Sequence, residues 1–549
     1  MHRSALRRLV FPLAGFISLA ILASTPGVAA KNDKDHFEPG NLVVSRSVYQ
    51  GVAGTVTVGQ TLPPGCVPGT VNIPLLPPST NTTPVTVKCA TAIADGTYPT
   101  VFNNDTNPAN NFKTVDGSFG VTSPIFLDQM TPDGTFINAL AIDPSQIVTS
   151  FSSKSELALN LSDDRKSITF GGYRAGAGFV TAANELDVSN SNTPGVVDLS
   201  NPVRSQYYRS VAELDDAGNL TITEGNAYSG NNGRAAIKAH GVYYMTGNNN
   251  NGGLSTAQLT TTTTGVDLIN STGVELLVPR APAPVPPNID MIGRFSVTQY
   301  GFPADKPGKD DNYRGLTIHN NTLYVTKGSG GNGINTVYQV GNQGDLPDLR
   351  DAPLASVPIT ILPGLWNGLA ANTTAPLPRF PFGIWFADSK TLYVADEGDG
   401  TIANAGTDTL SGLEKWVFDG TTWNLAYTLQ KGLNLGVQYV VHAPAGAPAY
   451  PNPAPDGLRN LIGRRNDDGT VTLWAITSTV SLSGDQGADP NQLVTITDRL
   501  DAQTLPASES FTVLRTANYG EVLRGVSFTP GTKRCGDNNG RKCDKDQDE

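Results

Sequence analysis

The chain has 549 residues and a formal net charge of −11, which disfavours nucleic acid and anionic membrane as partners because both repel an acidic surface. Its 58 glycines and 39 prolines, with little helical periodicity, exclude a helical bundle and point to short strands punctuated by turns.

The N-terminus carries Arg3, Arg7 and Arg8, then an apolar stretch from Leu9 to Ala23, then Val28-Ala29-Ala30. This pattern predicts a secretory signal peptide over residues 1–30 and a secreted or periplasmic protein. The apolar stretch falls short of the roughly 20 residues a spanning helix needs, so no membrane span is expected. Losing three arginines would take the charge from −11 to −14 (−11 − 3).

Residues 31–530 are expected to form one repeat domain. Asn41 to Ser47 reads as a strand, and residues 52–122 as an insertion that holds Cys66 and Cys89. Within it, Val71 to Leu76 and Val85 to Lys88 alternate around a Pro/Ser/Thr/Asn turn and predict a hairpin. Export favours two local disulfides, Cys66 with Cys89 and Cys535 with Cys543. Zinc is disfavoured, since the spacings are wrong and no histidine lies near either pair. Pro124 to Met130 and Thr135 to Ile142 read as two more strands.

A unit then recurs: an apolar strand, a tight polar turn, an alternating strand and a Gly-rich loop. Arg314-Gly-Leu-Thr-Ile-His-Asn-Asn-Thr-Leu-Tyr-Val-Thr-Lys-Gly328 aligns with Phe382-Gly-Ile-Trp-Phe-Ala-Asp-Ser-Lys-Thr-Leu-Tyr-Val-Ala-Asp-Glu-Gly398. Weaker copies start at Leu157, Arg234 and Leu458. Third and fourth strands follow in several units, and four strands per repeat is the blade of a β-propeller, because a lone twisted sheet cannot bury its faces. Arg524 to Phe528 repeats the first-strand pattern with no strand signal after it. The final blade is therefore expected to take one strand from the C-terminus and three from the N-terminus, closing the ring and removing its exposed edges. First-strand signals count to six blades, or seven if Ile292 to Gln299 belongs to another. Residues 531–549 read as an acidic tail.

The segments Gly40 to Gly51, Ser123 to Gly134, Ser155 to Asp164, Thr391 to Gly398 and Leu523 to Gly531 together resemble a family of secreted, mostly uncharacterised bacterial β-propeller proteins. The resemblance covers nearly the whole mature chain, and it implies fold and export without an activity. The insertion is a departure from the family pattern.

First-to-second turns are tight and second-to-third connections long, so the elaborated loops fall on one face, where binding sites concentrate. Arg314 and Arg524 occupy equivalent positions at the start of the innermost strand, and with Tyr313 they are candidates for holding an anionic ligand at the channel mouth. His442, in a Pro-rich connection on the same face, is a candidate proton carrier. His240 and His319 fall in turns on the other face. Asp396, Glu397 and Asp399 sit on Gly-bent backbone as calcium ligands do, so calcium is possible, although no complete calcium loop or other cofactor signature is present. Nucleophile elbows, zinc-protease motifs and phosphate loops are missing too.

Two functions fit. The favoured one is a monomeric binding or scaffold propeller that recognises an extracellular glycan, peptide, small molecule or envelope component. The other is a lyase or lactonase-like hydrolase acting on an anionic carbohydrate or lactone. Similarity to metal-dependent lactonase propellers is confined to Thr391 to Gly398, and Pro381-Phe382-Gly383 lacks the Asn those enzymes place there.

Overall fold

The computed structural model describes chiefly residues 37–48, 122–174, 207–248, 312–347, 357–366, 378–445, 452–481 and 489–533, with short breaks, and some strands elsewhere by backbone alone. Residues 1–36 and 534–549 lie outside the described residues, as do all four cysteines.

Of the antiparallel sheets among the described residues, six succeed one another around the ring, beside smaller two- and three-stranded ones. The closing sheet holds Leu42–Val48, Ile125–Met130, Phe136–Ala141 and Glu521–Phe528. The second runs Asn160–Leu161, Ser167–Arg174, Tyr208–Asp215, Leu220–Gly225. The third comprises Gly233–Ala239, Val242–Gly247 and Val266–Asn270. The fourth is Tyr313–His319, Thr322–Lys327, Thr336–Val340, Ile359–Ile361; the fifth Pro381–Asp388, Thr391–Asp396, Gly412–Phe418, Trp423–Leu429; the sixth Ala454–Arg465, Thr470–Val480, Gln492–Arg499, Thr512–Thr516. Four-stranded blades thus number five among the described residues, against the six or seven expected. The third sheet has three strands there, where the Asn- and Thr-rich chain after Gly247 gives no clear pattern. The only described helix is the single turn Ile402–Ala405.

The tight turns follow from their residues. Asn320 and Asn321 both adopt positive φ (47° and 54°), as a two-residue hairpin turn matching strand twist requires, and His240-Gly241 does the same at 51° and 81°.

Each junction between neighbouring sheets has its own apolar cluster. Val43 and Leu127 meet Leu157 and Phe170 between the closing and second sheets, and Tyr244 meets Tyr313 and Leu316 between the third and fourth. Tyr324 meets Phe386 between the fourth and fifth, and Tyr393 meets Leu473 and Val494 between the fifth and sixth. Val211 lies with Tyr243 between the second and third, and Trp474 with Val526 and Phe528 between the sixth and the closing sheet. No sheet buries both faces alone, which is why the repeats are stable only as a ring.

Inter-sheet hydrogen bonds also run round the ring. Hydroxyls donate to the next first strand from Ser45 to Leu157 O (2.6 Å), Thr169 to Ala236 O (2.6 Å), Thr246 to Arg314 O (3.2 Å) and Thr326 to Phe382 O (2.6 Å). Ser478 donates to Glu397 O, and Asn460 Nδ2 to Arg524 O at 2.6 Å. Three glycines let the first strands approach this closely. A Cβ added at Gly315, Gly383 or Gly525 would lie 2.1 Å from Phe382 O, 2.5 Å from Arg459 O or 2.4 Å from Leu157 O. Gly315→Ala is expected to cost about 1–3 kcal/mol through backbone displacement, read as a lowered midpoint of thermal unfolding; an unchanged midpoint would mean that the strands do not abut there.

The ring closes as its ends predict. Leu42, Val43 and Val44 pair antiparallel with Phe528, Ser527 and Val526, while Ser47 pairs with Ile125 on the other side. Asp128, fully buried, binds Arg46 through both oxygens (2.7 and 3.0 Å) and Arg515 at 2.7 Å; Arg46 also reaches Glu521 at 2.7 Å. These ion pairs fasten the N-terminal strands to the C-terminal ones.

Candidate anion-binding mouth

The glycine contacts fix which residues are equivalent at the start of each first strand: Leu157, Arg234, Arg314, Phe382, Arg459 and Arg524. Gly315 abuts Phe382, Gly383 abuts Arg459, and Gly525 abuts Leu157. Arg234 joins the set because Ala235 after it pairs with Thr246, whose hydroxyl reaches Arg314 O. Four buried guanidiniums therefore belong to one level at the loop-bearing end of the channel. Arg314 and Arg524 were expected there. Arg234 and Arg459 were not, although the same register in RAAIK and LRNLI carries the signal.

Around Phe382 the arrangement is specific. Its ring centroid lies 5.4 Å from Arg314 Cζ and 6.0 Å from Arg459 Cζ, a cation–π geometry on each. Glu397 bridges the same two arginines, at 3.4 Å from Arg314 Nη2 and 3.0 Å from Arg459 Nε. This carboxylate belongs to the fifth sheet, so Arg314 is held by the neighbouring sheet rather than by its own. Arg524 donates to Ser47 Oγ (3.4 Å) and to Phe151 O.

Glu156 stands near Arg524 and accepts from Thr149 Oγ1 (2.9 Å), Ser150 N (3.1 Å) and the Tyr173 hydroxyl. Burial pushes it up to about 7 against the opposing pull of these bonds and of the Arg524 charge. Asp396, accepting from Phe380 N (2.7 Å) and Gly398 N (2.9 Å), is likewise raised to about 7 by burial. A carboxyl raised on folding stabilises below its unfolded pKa and loses that stabilisation as pH rises through the folded value. Stability should therefore fall between about pH 4.5 and pH 7, and Glu156→Gln should flatten part of that slope in thermal unfolding followed across pH. An undiminished slope would exclude Glu156 as a source.

Other expected site residues are placed elsewhere. Tyr313 is fully buried in the core between the third and fourth sheets, edge-on to Tyr338 at 5.7 Å, so it does not line the mouth. His442 is exposed after the fifth sheet, and no described contact joins it to Arg314 or Arg524. Asp396, Glu397 and Asp399 diverge: the first binds backbone amides, the second the arginines, and the third accepts from Thr401 N (2.8 Å) and Asn404 Nδ2 (2.6 Å). Among the described residues no group of three metal-ligating side chains is present, and none of their helices is long and apolar enough to cross a membrane. The length asymmetry of the loops holds for second-to-third connections such as Asp396 to Gly412. It is not absolute, because Val340 to Ile359 and Arg499 to Thr512 are long connections on the opposite face.

No protein-family model matches the chain, and no curated protein matches it. Among solved structures it is similar to a hypothetical selenium-binding protein from Sulfolobus tokodaii, at 10% identity and TM-score 0.34, over 90% of this chain and 96% of that one. It is also similar to the hemagglutinin-neuraminidase ectodomain of parainfluenza virus 5 (10%, TM-score 0.32, 82% and 88%) and to a member of the DUF4221 family from Bacteroides vulgatus (10%, TM-score 0.28, 71% and 84%). Likenesses this distant do not bear on activity, and the β-propeller is read from the chain's own sheets and their junctions.

Proposed function

We propose that the protein is an exported, monomeric propeller, with the three-stranded sheet as its sixth blade, that binds an anionic extracellular glycan or peptide at its loop-bearing mouth. The supporting observation is the charge at that end. Arg314 and Arg459 share the Glu397 carboxylate and Arg524 stands near Glu156, so that, with Arg234, guanidiniums from four sheets gather at one level. Guanidiniums held by carbonyls and an aromatic face are preorganised for a carboxylate, sulfate or phosphate.

Export is supported by the signal-like N-terminus and by the hairpin in the insertion, where Gly69–Pro74 pairs with Thr82–Val87 in the register Val71 to Val85. Cys66 precedes and Cys89 follows that hairpin's open end, which favours a disulfide between them; mass spectrometry finding free thiols would exclude it.

A lyase or hydrolase is the second reading, and Glu156 is what favours it. A carboxyl titrating near neutrality beside a guanidinium is suited to moving a proton. Screening the mature protein against acidic and neutral oligosaccharides, with and without a chelator, tests the reading. Binding confined to acidic members and weakened by salt supports it, whereas salt-independent binding of neutral members contradicts it. Shortening of the bound acidic chains would favour the enzyme.

A further inference from the structure

At the other end of the channel, the later halves of the first strands of all six sheets surround a cavity of about 340 Å³. It opens on the tight-turn face, away from the arginine mouth, and the abutting glycine level lies between the two. Its exposed lining is more polar than apolar, yet it includes a few large apolar side chains. Ile318, Trp385, Leu461 and Ile462, from three sheets, line it while remaining only half-buried. The Trp385 indole is fixed rather than free: it lies against the Gly463 backbone, where a Cβ would sit 2.6 Å from its ring, and 6.0 Å from the Tyr393 ring. This presents a rigid flat surface to the cavity.

The rim is cationic. Arg165, Arg464, Arg465 and Lys533 border the opening, against Asp163 and Asp388. Of these carboxylates, Asp388 lies 4.0 Å from Arg465 and Asp163 lies 3.8 Å from His240 Nε2. Two more cations than anions thus surround a chamber with one flat aromatic wall, whose size falls in the range of small-molecule sites.

We propose that this cavity binds a small flat carboxylate, its ring against Trp385 and its carboxylate toward Arg464 and Arg465. Burying the ring removes apolar surface that the fold itself leaves in water, and the rim supplies charge-assisted bonds to the acid group. The site is separate from the loop-bearing mouth and does not depend on the reading given for it.

Calorimetric titration of the purified protein with 1-naphthoate, and with 1-naphthylmethanol as the uncharged counterpart, tests the proposal. Saturable one-to-one binding of 1-naphthoate is expected, at least tenfold tighter than of the alcohol. The exposed-rim pair Arg464→Gln/Arg465→Gln should weaken it at least tenfold. Ile318→Trp, which fills the chamber, should abolish it, with Thr317→Tyr as a second filling variant should the first not fold. The pair Arg314→Gln/Arg524→Gln should leave it unchanged. No binding of 1-naphthoate, equal affinity for the alcohol, or full affinity in a folded filled variant would overturn the proposal.

Discussion

Removal of residues 524–549 is expected to abolish cooperative unfolding rather than to trim the protein. The cut deletes Val526, Ser527 and Phe528, whose strand pairs with Val44, Val43 and Leu42. It also empties one side of the junction in which Phe528 meets Trp474 edge-on at 5.5 Å. Loss of one buried Phe costs about 3–5 kcal/mol, and the same cut removes Arg524, with its bonds to Ser47 and Phe151, and Val526. Against a total stability of roughly 5–15 kcal/mol, the sum leaves little. Both sides of the gap would then present an unpaired strand edge, which favours aggregation. Circular dichroism during heating should show no sharp transition; one at the temperature of the full chain would refute closure by these strands.

Lys415→Met is expected to be the most damaging single substitution among those considered. Lys415 and Asp498 are fully buried between the fifth and sixth sheets, 2.9 Å apart. The ammonium also donates to Arg499 O at 2.6 Å and to the Tyr427 hydroxyl at 3.0 Å, while the Tyr427 and Tyr393 hydroxyls donate to Asp498. Burial and the neighbouring Asp498 push Glu509 up to about 8. Removing the lysine alone strands the Asp498 anion in the interior, which costs roughly 3–5 kcal/mol. Denaturant unfolding should show the loss, and Lys415→Met/Asp498→Leu should recover part of it because no bare charge remains. A single variant as stable as the parent would mean that water reaches this junction.

The fold was legible where a local pattern repeats. Arg524-Gly-Val-Ser-Phe528 and Arg314-Gly-Leu-Thr-Ile318 share a strand start, and that shared register both predicts ring closure and puts two arginines at one level. Asn320-Asn321 announces its turn because only residues tolerant of positive φ fit there. The third sheet was harder to delimit, since its outer strand lies in a stretch rich in Thr and Asn that lacks apolar alternation.

At the mouth, strand geometry was the information left unused. Adjacent residues on a strand face opposite sides, so with Arg314 turned to Phe382 and Glu397 of the fifth sheet, Tyr313 enters the core shared with the third. Nothing local announces Glu397 as the bridge between Arg314 and Arg459, because that contact depends on how neighbouring sheets are rotated about the axis. For the same reason Asp396, Glu397 and Asp399, consecutive or nearly so, look like a ligand set in sequence and separate in space. Because Arg314 and Arg524 are buried, replacing them is not neutral for stability: Glu397 would lose one of its two arginines, and Phe151 O the bond from Arg524.

The central claim is that the arginine mouth of the closed ring receives an anion. Its most direct test is the affinity of the purified protein for oligogalacturonate at low salt, compared with that of Arg314→Gln/Arg524→Gln, both confirmed as folded by their thermal transitions. Each charge-assisted bond contributes roughly 1.5–3 kcal/mol, so the double variant should bind more than tenfold more weakly and with a shallower salt dependence. Equal affinity and an unchanged salt slope in the folded variant would contradict the claim and leave the arginines a structural role in joining the blades.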